Sequence, residues 1–171
     1  NVTAIAYGGT NEASSVFVAV NSTGGIFTST NGTTWTAQTS PVGTALNHVL
    51  YAAGKFVAVG ASGTNVTAPP SADTWTAGST AITSAYSLGK VAYGDGTFMA
   101  VTLSGTNSNT LFLSRDALTW NLVSVSGGVI SEGTTSASNT SIAFGNGTFL
   151  VAGNNGIVSQ TLPAADALRI T

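Results

Sequence analysis

The sequence predicts an all-β fold made of four copies of one unit, and three recurring aromatic positions carry this prediction. A phenylalanine begins a short apolar run at four places, and a tyrosine or phenylalanine followed by glycine or alanine precedes each run. A tryptophan follows each of the first three runs. The three columns are Phe17, Phe56, Phe98 and Phe149; Tyr7, Tyr51, Tyr93 and Phe144; and Trp35, Trp75 and Trp120. A period of about 40 to 50 residues with several short strands per repeat is the signature of a β-propeller blade.

The first unit contains four predicted strands. Short alternating or β-branched apolar runs predict strands. Gly24-Gly25 breaks the chain before the third strand, and Asn31-Gly32, a strong hairpin signal, lies between the third strand and the fourth. The predicted strands span residues 2–8, 16–20, 26–29 and 34–38.

The other units repeat this order. Short turns at Ala53-Gly54, Asp95 and Asn146-Gly147 join their first two strands. In the second unit Pro69 and Pro70 remove two backbone donors, so the third strand there fits only an edge or a bulge. The predicted strands span residues 45–51, 55–60 and 74–77 in the second unit, 87–94, 97–103, 110–114 and 119–125 in the third, and 140–145, 148–152 and 156–160 in the fourth, which ends in a final segment to residue 171.

We therefore expect a small β-propeller of four blades, each of four antiparallel strands, closed as one domain. Short turns within the units and longer polar links between them favour a propeller over a solenoid of hairpins. The alternative is a half-propeller that is completed by association. The predicted domain spans residues 1–171, with repeats at approximately 1–40, 41–80, 81–126 and 127–171.

A Ser-x-Asp or Ser-x-Asn pair precedes each tryptophan, and the surrounding stretches resemble the Asp-box, or BNR repeat, of sialidase-like propellers in bacterial surface and phage proteins. The resemblance implies a structural hairpin at the outer rim of the blade, in which the Asp ties the turn and the Trp wedges between blades. The matching residues are Ser29, Asn31, Gly32 and Trp35; Ser71, Asp73 and Trp75; Ser114, Asp116 and Trp120; and Asp166 in the fourth unit.

Composition argues against several classes of partner. Charged residues make up 6% of the chain and the net charge is -2, so no basic surface for nucleic acid or anionic lipid is expected. The chain has no cysteine, which removes disulfides and thiolate metal sites. A nearly uncharged surface of hydroxyls and amides favours close packing against other proteins, including copies of the same chain.

Catalytic residues are sparse. By the same resemblance a sialidase needs three arginines, but the chain has only Arg115 and Arg169. Glycosidase chemistry needs two carboxylates about 5 to 10 Å apart across a sugar. Turn chemistry explains most of the acidic residues, and no metal-ligand spacing is present. We therefore expect no enzyme activity and no cofactor. The six acidic residues are Glu12, Asp73, Asp95, Asp116, Glu132 and Asp166.

Three residues remain as candidate contacts with a ligand or partner: Tyr86, the one aromatic that falls outside the register of the repeats; Glu132, in a long polar link; and His48, the only histidine. Each also has a structural interpretation, as a plug over a blade edge, a solvated loop residue and a packing residue, respectively.

The sequence favours a non-catalytic structural or adhesive module on the exterior of a phage virion or bacterial cell surface. Such a module would be extracellular and would self-assemble or dock on a larger particle. The alternative is a lectin-like module that binds glycans through loop hydroxyl and amide groups.

Overall fold

The computed structural model describes residues 1–78, 82–103, 110–123, 139–153 and 158–160, and it confirms the all-β prediction. These residues form four antiparallel sheets, called blades 1 to 4, in which the strands follow one another in chain order. Blade 1 contains β1 (Val2–Gly8), β2 (Val16–Asn21), β3 (Ile26–Ser29) and β4 (Thr36–Gln38); blade 2 contains β5 (Leu46–Ala52), β6 (Lys55–Gly60), β7 (Asn65–Ala68) and β8 (Thr76–Ala77). Blade 3 contains β9 (Leu88–Gly94), β10 (Thr97–Thr102), β11 (Leu111–Ser114) and β12 (Asn121–Val123); blade 4 contains β13 (Asn139–Gly145), β14 (Thr148–Gly153) and β15 (Val158–Gln160).

The third strand of blade 2, predicted to fit only an edge or a bulge because of two prolines, is β7, and it lies inside the sheet between β6 and β8. Strand β7 ends at Ala68, so Pro69 and Pro70 follow the strand and remove no hydrogen bond from its ladder. The fourth strand predicted for blade 4 falls within residues 161–171, outside the described residues. Short 3-10 turns occur at Glu12–Ser14 and Ala61–Gly63. In the part of the chain that the structure describes, no helix is long and apolar enough to cross a membrane.

The hairpins that begin blades 2, 3 and 4 share one turn conformation. Both central residues have positive φ, with 49° followed by 72° to 74° in each hairpin. This is the type I′ pattern, whose twist matches that of the flanking strands. Glycine at the second position adopts it without a steric penalty. The residue pairs are Ala53-Gly54, Asp95-Gly96 and Asn146-Gly147.

The first two aromatic columns pair within each blade. The tyrosine or phenylalanine on the first strand lies directly opposite the phenylalanine on the second. The ring centroids are 4.6 to 4.8 Å apart, with tilted or edge-on planes. Such cross-strand aromatic pairs stabilise antiparallel sheets and fix their register.

Successive blades stack face to face and bury three hydrophobic cores. Core 1 lies between blades 1 and 2, core 2 between blades 2 and 3, and core 3 between blades 3 and 4. On β6 the alternation of side chains sends Phe56 and Ala58 to core 1 and Val57 and Val59 to core 2. The middle blades therefore bury both faces, as a propeller requires.

A small residue on one blade receives an aromatic ring from the next. A Cβ atom built on Gly8 would overlap the ring of Tyr51, and one built on Gly94 would overlap the ring of Phe144. Between blades 2 and 3, Ala52 and Tyr93 hold the equivalent positions and pack against core 2. We call this arrangement the ring-on-glycine joint.

The four blades form an open arc in the described residues. The innermost strands pack in the order β1, β5, β9 and β13, and no comparable contact joins β13 to β1 there. The propeller architecture predicted from the sequence is present, whereas closure of the ring within one chain is not seen among these residues.

Candidate functional site

The turns that resemble Asp-boxes were the most motif-like candidates, and two of them share one hydrogen-bond pattern. In blade 1, Asn31 Oδ1 accepts hydrogen bonds from the backbone N–H groups of Thr33 and Thr34, both at 2.9 Å. Ser29 Oγ accepts from the Gly32 N–H at 2.9 Å and donates to Asn31 Oδ1 at 3.2 Å. The two side chains therefore satisfy the turn's own backbone donors.

Blade 3 repeats this pattern with a carboxylate. Asp116 Oδ1 accepts from the N–H groups of Leu118 at 2.8 Å and Thr119 at 2.7 Å, and the Ser114 hydroxyl donates to it at 2.9 Å. Ser114 Oγ in turn accepts from the Ala117 N–H at 2.8 Å. The hydrogen bond from Thr119, with those from Leu118 and Ser114, lowers the pKa of Asp116 to about 2. This carboxylate is ionised and occupied by its own turn, so it is poorly suited to act as a general acid.

The second turn differs from the other two. Phe56 pairs with Ala68 in the sheet, whereas the equivalent Phe17 pairs with Ser29, so Ala68 and not Ser71 holds the serine position. Ser71 donates to Asp73 at 3.0 Å in an exposed part of the turn. The two prolines lengthen the segment after the strand, which a residue-for-residue comparison of the sequences does not show.

The tryptophans of blades 2 and 3 lie between blades. Trp75 belongs to core 1 and Trp120 to core 2, and both are buried. Each indole N–H donates to the carbonyl oxygen three residues earlier, Ala72 at 3.1 Å and Ala117 at 3.2 Å. Those alanines have positive φ, as Gly32 does at the same place in blade 1. Trp35 is only half-buried, because blade 1 has no preceding blade in the described residues.

His48 lies on β5, where its Nδ1 accepts a hydrogen bond from the Val91 N–H of β9 at 3.3 Å. Burial, and then the charge of nearby Lys90, lower the pKa of His48 to about 4. The imidazole is therefore neutral at physiological pH and joins blade 2 to blade 3. The neighbouring Asn47 makes a parallel link by donating to the Leu88 carbonyl at 2.7 Å.

Of the other candidate contacts, Tyr86 lies among the described residues. Tyr86 packs edge-on against Phe112 with centroids 5.1 Å apart, at the margin of core 2. Glu132 and Asp166 lie outside the described residues, as does Arg169. The structure does not bring Tyr86 and His48 into one site, and a ligand or partner role for either residue stays a prediction.

The acidic residues of the described ranges lie on four separate segments. Glu12 is in the first 3-10 turn, and Asp95 is in the β9–β10 hairpin. Asp73 and Asp116 are in blades 2 and 3, in the turns between the third and fourth strands, which we call the rim turns. Among the residues that the structure describes, no three His, Cys, Asp or Glu side chains are grouped so that they could hold a metal ion.

A shallow groove lies beside the first of these turns. Its lining carries hydroxyl and amide groups and no charged side chain, so it could offer hydrogen bonds to a neutral polar ligand. The lining residues are Val16, Thr28, Ser29, Thr30, Asn31, Thr34 and Thr36. They come from the start of β2, the end of β3, the turn and the start of β4.

Comparison with known proteins identifies the fold. No family model matches the chain, and no curated protein matches it in sequence. The computationally designed Ika4 protein superposes with a TM-score of 0.65 at 13% identity, over 94% of this chain and 90% of Ika4. YCF48 from Cyanidioschyzon merolae gives 0.66 at 13% identity, over 96% and 54%. The WD40 β-propeller domain of Doa1 gives 0.62 at 13% identity, over 95% and 51%.

These likenesses, together with the stacked blades, define the chain as a β-propeller module. The chain spans about half the length of the YCF48 and Doa1 structures, as the coverages show. At these identities the likeness concerns the fold alone.

Proposed function

We propose that this β-propeller module is a non-catalytic structural or adhesive component of the exterior of a phage virion or bacterial cell surface. Its partners would be proteins of a larger particle, and its repeats would belong with the Asp-box repeats of such proteins. The observation that carries the proposal is a rigid scaffold with an almost uncharged exterior, since only 6% of the residues are charged.

Two polar side chains that could have served in catalysis support this proposal, because both are held by hydrogen bonds within the fold. Asp116 is held by its own turn, and His48 is neutral and bonded between two blades. A catalytic acid or base normally has a pKa near the working pH, and these two pKa values are shifted well below it. Uncharged contacts also lose little strength in salt, which suits a protein outside the cell.

The location can be tested with antibodies raised against the purified chain. We expect gold-labelled antibodies to decorate virions or the outside of intact cells of the source organism in a regular pattern. Labelling confined to the interior of sectioned cells would contradict the proposed location. A panel of fluorogenic glycosides should show no turnover above a control without protein, and turnover abolished by Asp116→Asn would overturn the non-catalytic role.

A second candidate function is glycan binding in the groove beside the first turn. Hydroxyl and amide groups line that groove, and sugars are bound by such neutral donors and acceptors together with apolar surface. Thr28 accepts a hydrogen bond from Gln38 at 2.7 Å, so part of the lining is held in place before any ligand binds. This preorganisation lowers the entropic cost of binding.

A glycan array tests this second function, with Thr36→Val as the disrupting variant. Thr36 is exposed in the groove and pairs with Thr28 across β3 and β4. Thr76→Val is the matched control, because Thr76 is also exposed and pairs with Thr67 at the equivalent place in blade 2. Glycan signals that fall with Thr36→Val alone would support the groove; no signal, or equal loss in both variants, would reject it.

A further inference from the structure

The two ends of the arc are built like the interfaces inside it. Val57 and Val59 are fully buried in blade 2, but Leu150, which holds the position of Val57 in blade 4, is 44% exposed. Tyr7 is 51% exposed, although its counterparts Tyr51 and Tyr93 pack against cores 1 and 2. Each end thus presents an apolar face without a covering blade in the described residues.

The end of blade 1 presents the aromatic half of a joint. We call its exposed or half-buried side chains the open face of blade 1. They take no part in the three cores, whereas their counterparts one blade later do: Val49, Tyr51, Phe56 and Trp75 all belong to core 1 or pack against it. The open face of blade 1 consists of Ile5, Tyr7, Phe17 and Trp35.

The end of blade 4 presents the receiving half. Gly8 and Gly94 are buried beneath the rings of Tyr51 and Phe144, but a Cβ atom built on Gly145 meets no described atom within 4 Å. Around this free position lie small and aliphatic side chains on the face away from core 3. The open face of blade 4 consists of Ala143, Gly145 and Leu150.

We infer that a second copy of this chain closes the ring, with the open face of blade 1 of each copy against the open face of blade 4 of the other. Tyr7 would lie over the partner copy's Gly145, which repeats the ring-on-glycine joint a fourth time. Phe17 and Trp35 would pack on Leu150. Two copies contain two such joints, and a two-fold axis satisfies both, so no apolar end remains.

The share of larger propellers that the arc covers supports a ring of two copies. The chain superposes over 95% or more of its length on propellers of which it covers only 51% and 54%. An arc that follows about half of a larger ring leaves room for a second arc of the same size. Repeated head-to-tail contacts form a ring when the rotation closes and a filament when it does not.

The mass of the purified chain in solution tests the association. Sedimentation equilibrium should give twice the 16.9 kDa of one chain. Leu150→Glu places a carboxylate in the proposed joint and should halve the measured mass, because a buried unpaired charge is strongly unfavourable. Leu122→Glu is the matched control, because Leu122 is 51% exposed on β12 and lies in neither open face. That variant should keep the mass of two chains.

A cross-link tests the geometry, since the chain contains no cysteine of its own. A Cβ built on Gly8 would lie 2.6 Å from the Tyr51 Cβ, so a small shift allows a disulfide across such a joint. Tyr7→Cys combined with Gly145→Cys should give a covalent pair of chains on oxidation. Tyr7→Cys combined with Leu122→Cys should not.

Three outcomes would overturn the inference. These are a wild-type mass of one chain throughout a concentration series, a ladder of higher cross-linked species, and an equal response to Leu150→Glu and Leu122→Glu. Circular dichroism of each variant establishes that it is folded before its mass is interpreted. The inference does not depend on where the protein is located. If the chain forms pairs in solution but antibodies against it label no virion or cell surface, the proposed function would be contradicted and the two-chain ring would stand.

Discussion

The interior joints and the open ends of this arc carry the same residue pattern in different surroundings. Between blades 2 and 3, Val57 and Phe98 are fully buried, and His48 and Asn47 add hydrogen bonds across the joint. At the ends, Leu150 holds the position of Val57 and Tyr7 holds that of Tyr93, and both are about half exposed. The comparison teaches that the repeat encodes both halves of every joint, so an end blade is an interface that lacks its partner.

The largest difference in stability between an interior joint and an open end should come from the phenylalanine column. Phe98→Ala should lower the free energy of unfolding by about 3 to 5 kcal/mol, because it leaves a cavity in core 2. Phe17→Ala should cost less than half as much in dilute protein, since Phe17 faces away from core 1. Urea unfolding of both variants checks this difference, and equal losses would show that the two positions are equally buried.

The glycines of the ring-on-glycine joint should give the next largest difference. Gly8→Ala should destabilise the fold by about 1 to 3 kcal/mol, because the new Cβ overlaps the Tyr51 ring. Gly145→Ala should stay within about 0.5 kcal/mol in dilute protein, because no described atom lies near that Cβ. Thermal unfolding at low concentration measures both; a large loss for Gly145→Ala in a monomer would mean that its own chain covers the position.

The rim turns allow the carboxylate of blade 3 to be compared with the amide of blade 1. Asp116→Ala should cost about 1 kcal/mol through the lost backbone hydrogen bonds, and Asp116→Asn should cost less, because Asn31 makes the same bonds. Urea unfolding at neutral pH measures both changes. A loss for Asp116→Asn as large as that for Asp116→Ala would show that the charge, and not the turn geometry, is needed.

The contribution of Asp116 to stability should also depend on pH. The pKa of Asp116 in the fold is lowered to about 2, below its value in the unfolded chain, so its contribution is fully present above about pH 4. It is lost as the pH falls from about 4 to about 2. The difference in unfolding free energy between the wild type and Asp116→Asn should therefore shrink over this range, and a difference that does not change with pH would contradict the assignment.

The joint between blades 2 and 3 should show itself in the slope of unfolding free energy against pH. The pKa of His48 is lowered to about 4, so between about pH 6.5 and pH 4 the unfolded chain binds a proton that the fold does not. Stability should fall as the pH falls through that window. His48→Gln should remove this part of the slope, and an unchanged slope would place its origin elsewhere.

Local signals predicted most of the blade architecture. The Phe and Tyr columns mark residues that pair across two neighbouring strands, so their spacing survives in any alignment of the units. Turn residues such as Asn146-Gly147 fix the hairpins through their own backbone preferences. The second rim turn was harder to predict, because Ser71 looks like Ser29 in sequence while the strand register assigns that position to Ala68.

By itself, then, the sequence determined the all-β class, the four repeats and the aromatic pairing, because these depend on the alternation of side chains and on turns of two residues. Only the tertiary structure decided how the blades meet. Whether Tyr7 and Leu150 are buried depends on the curvature of the stack, which adds up small rotations between sheets that no short stretch of residues records. For the same reason, the sequence could predict a ring but not how many chains are needed to close it.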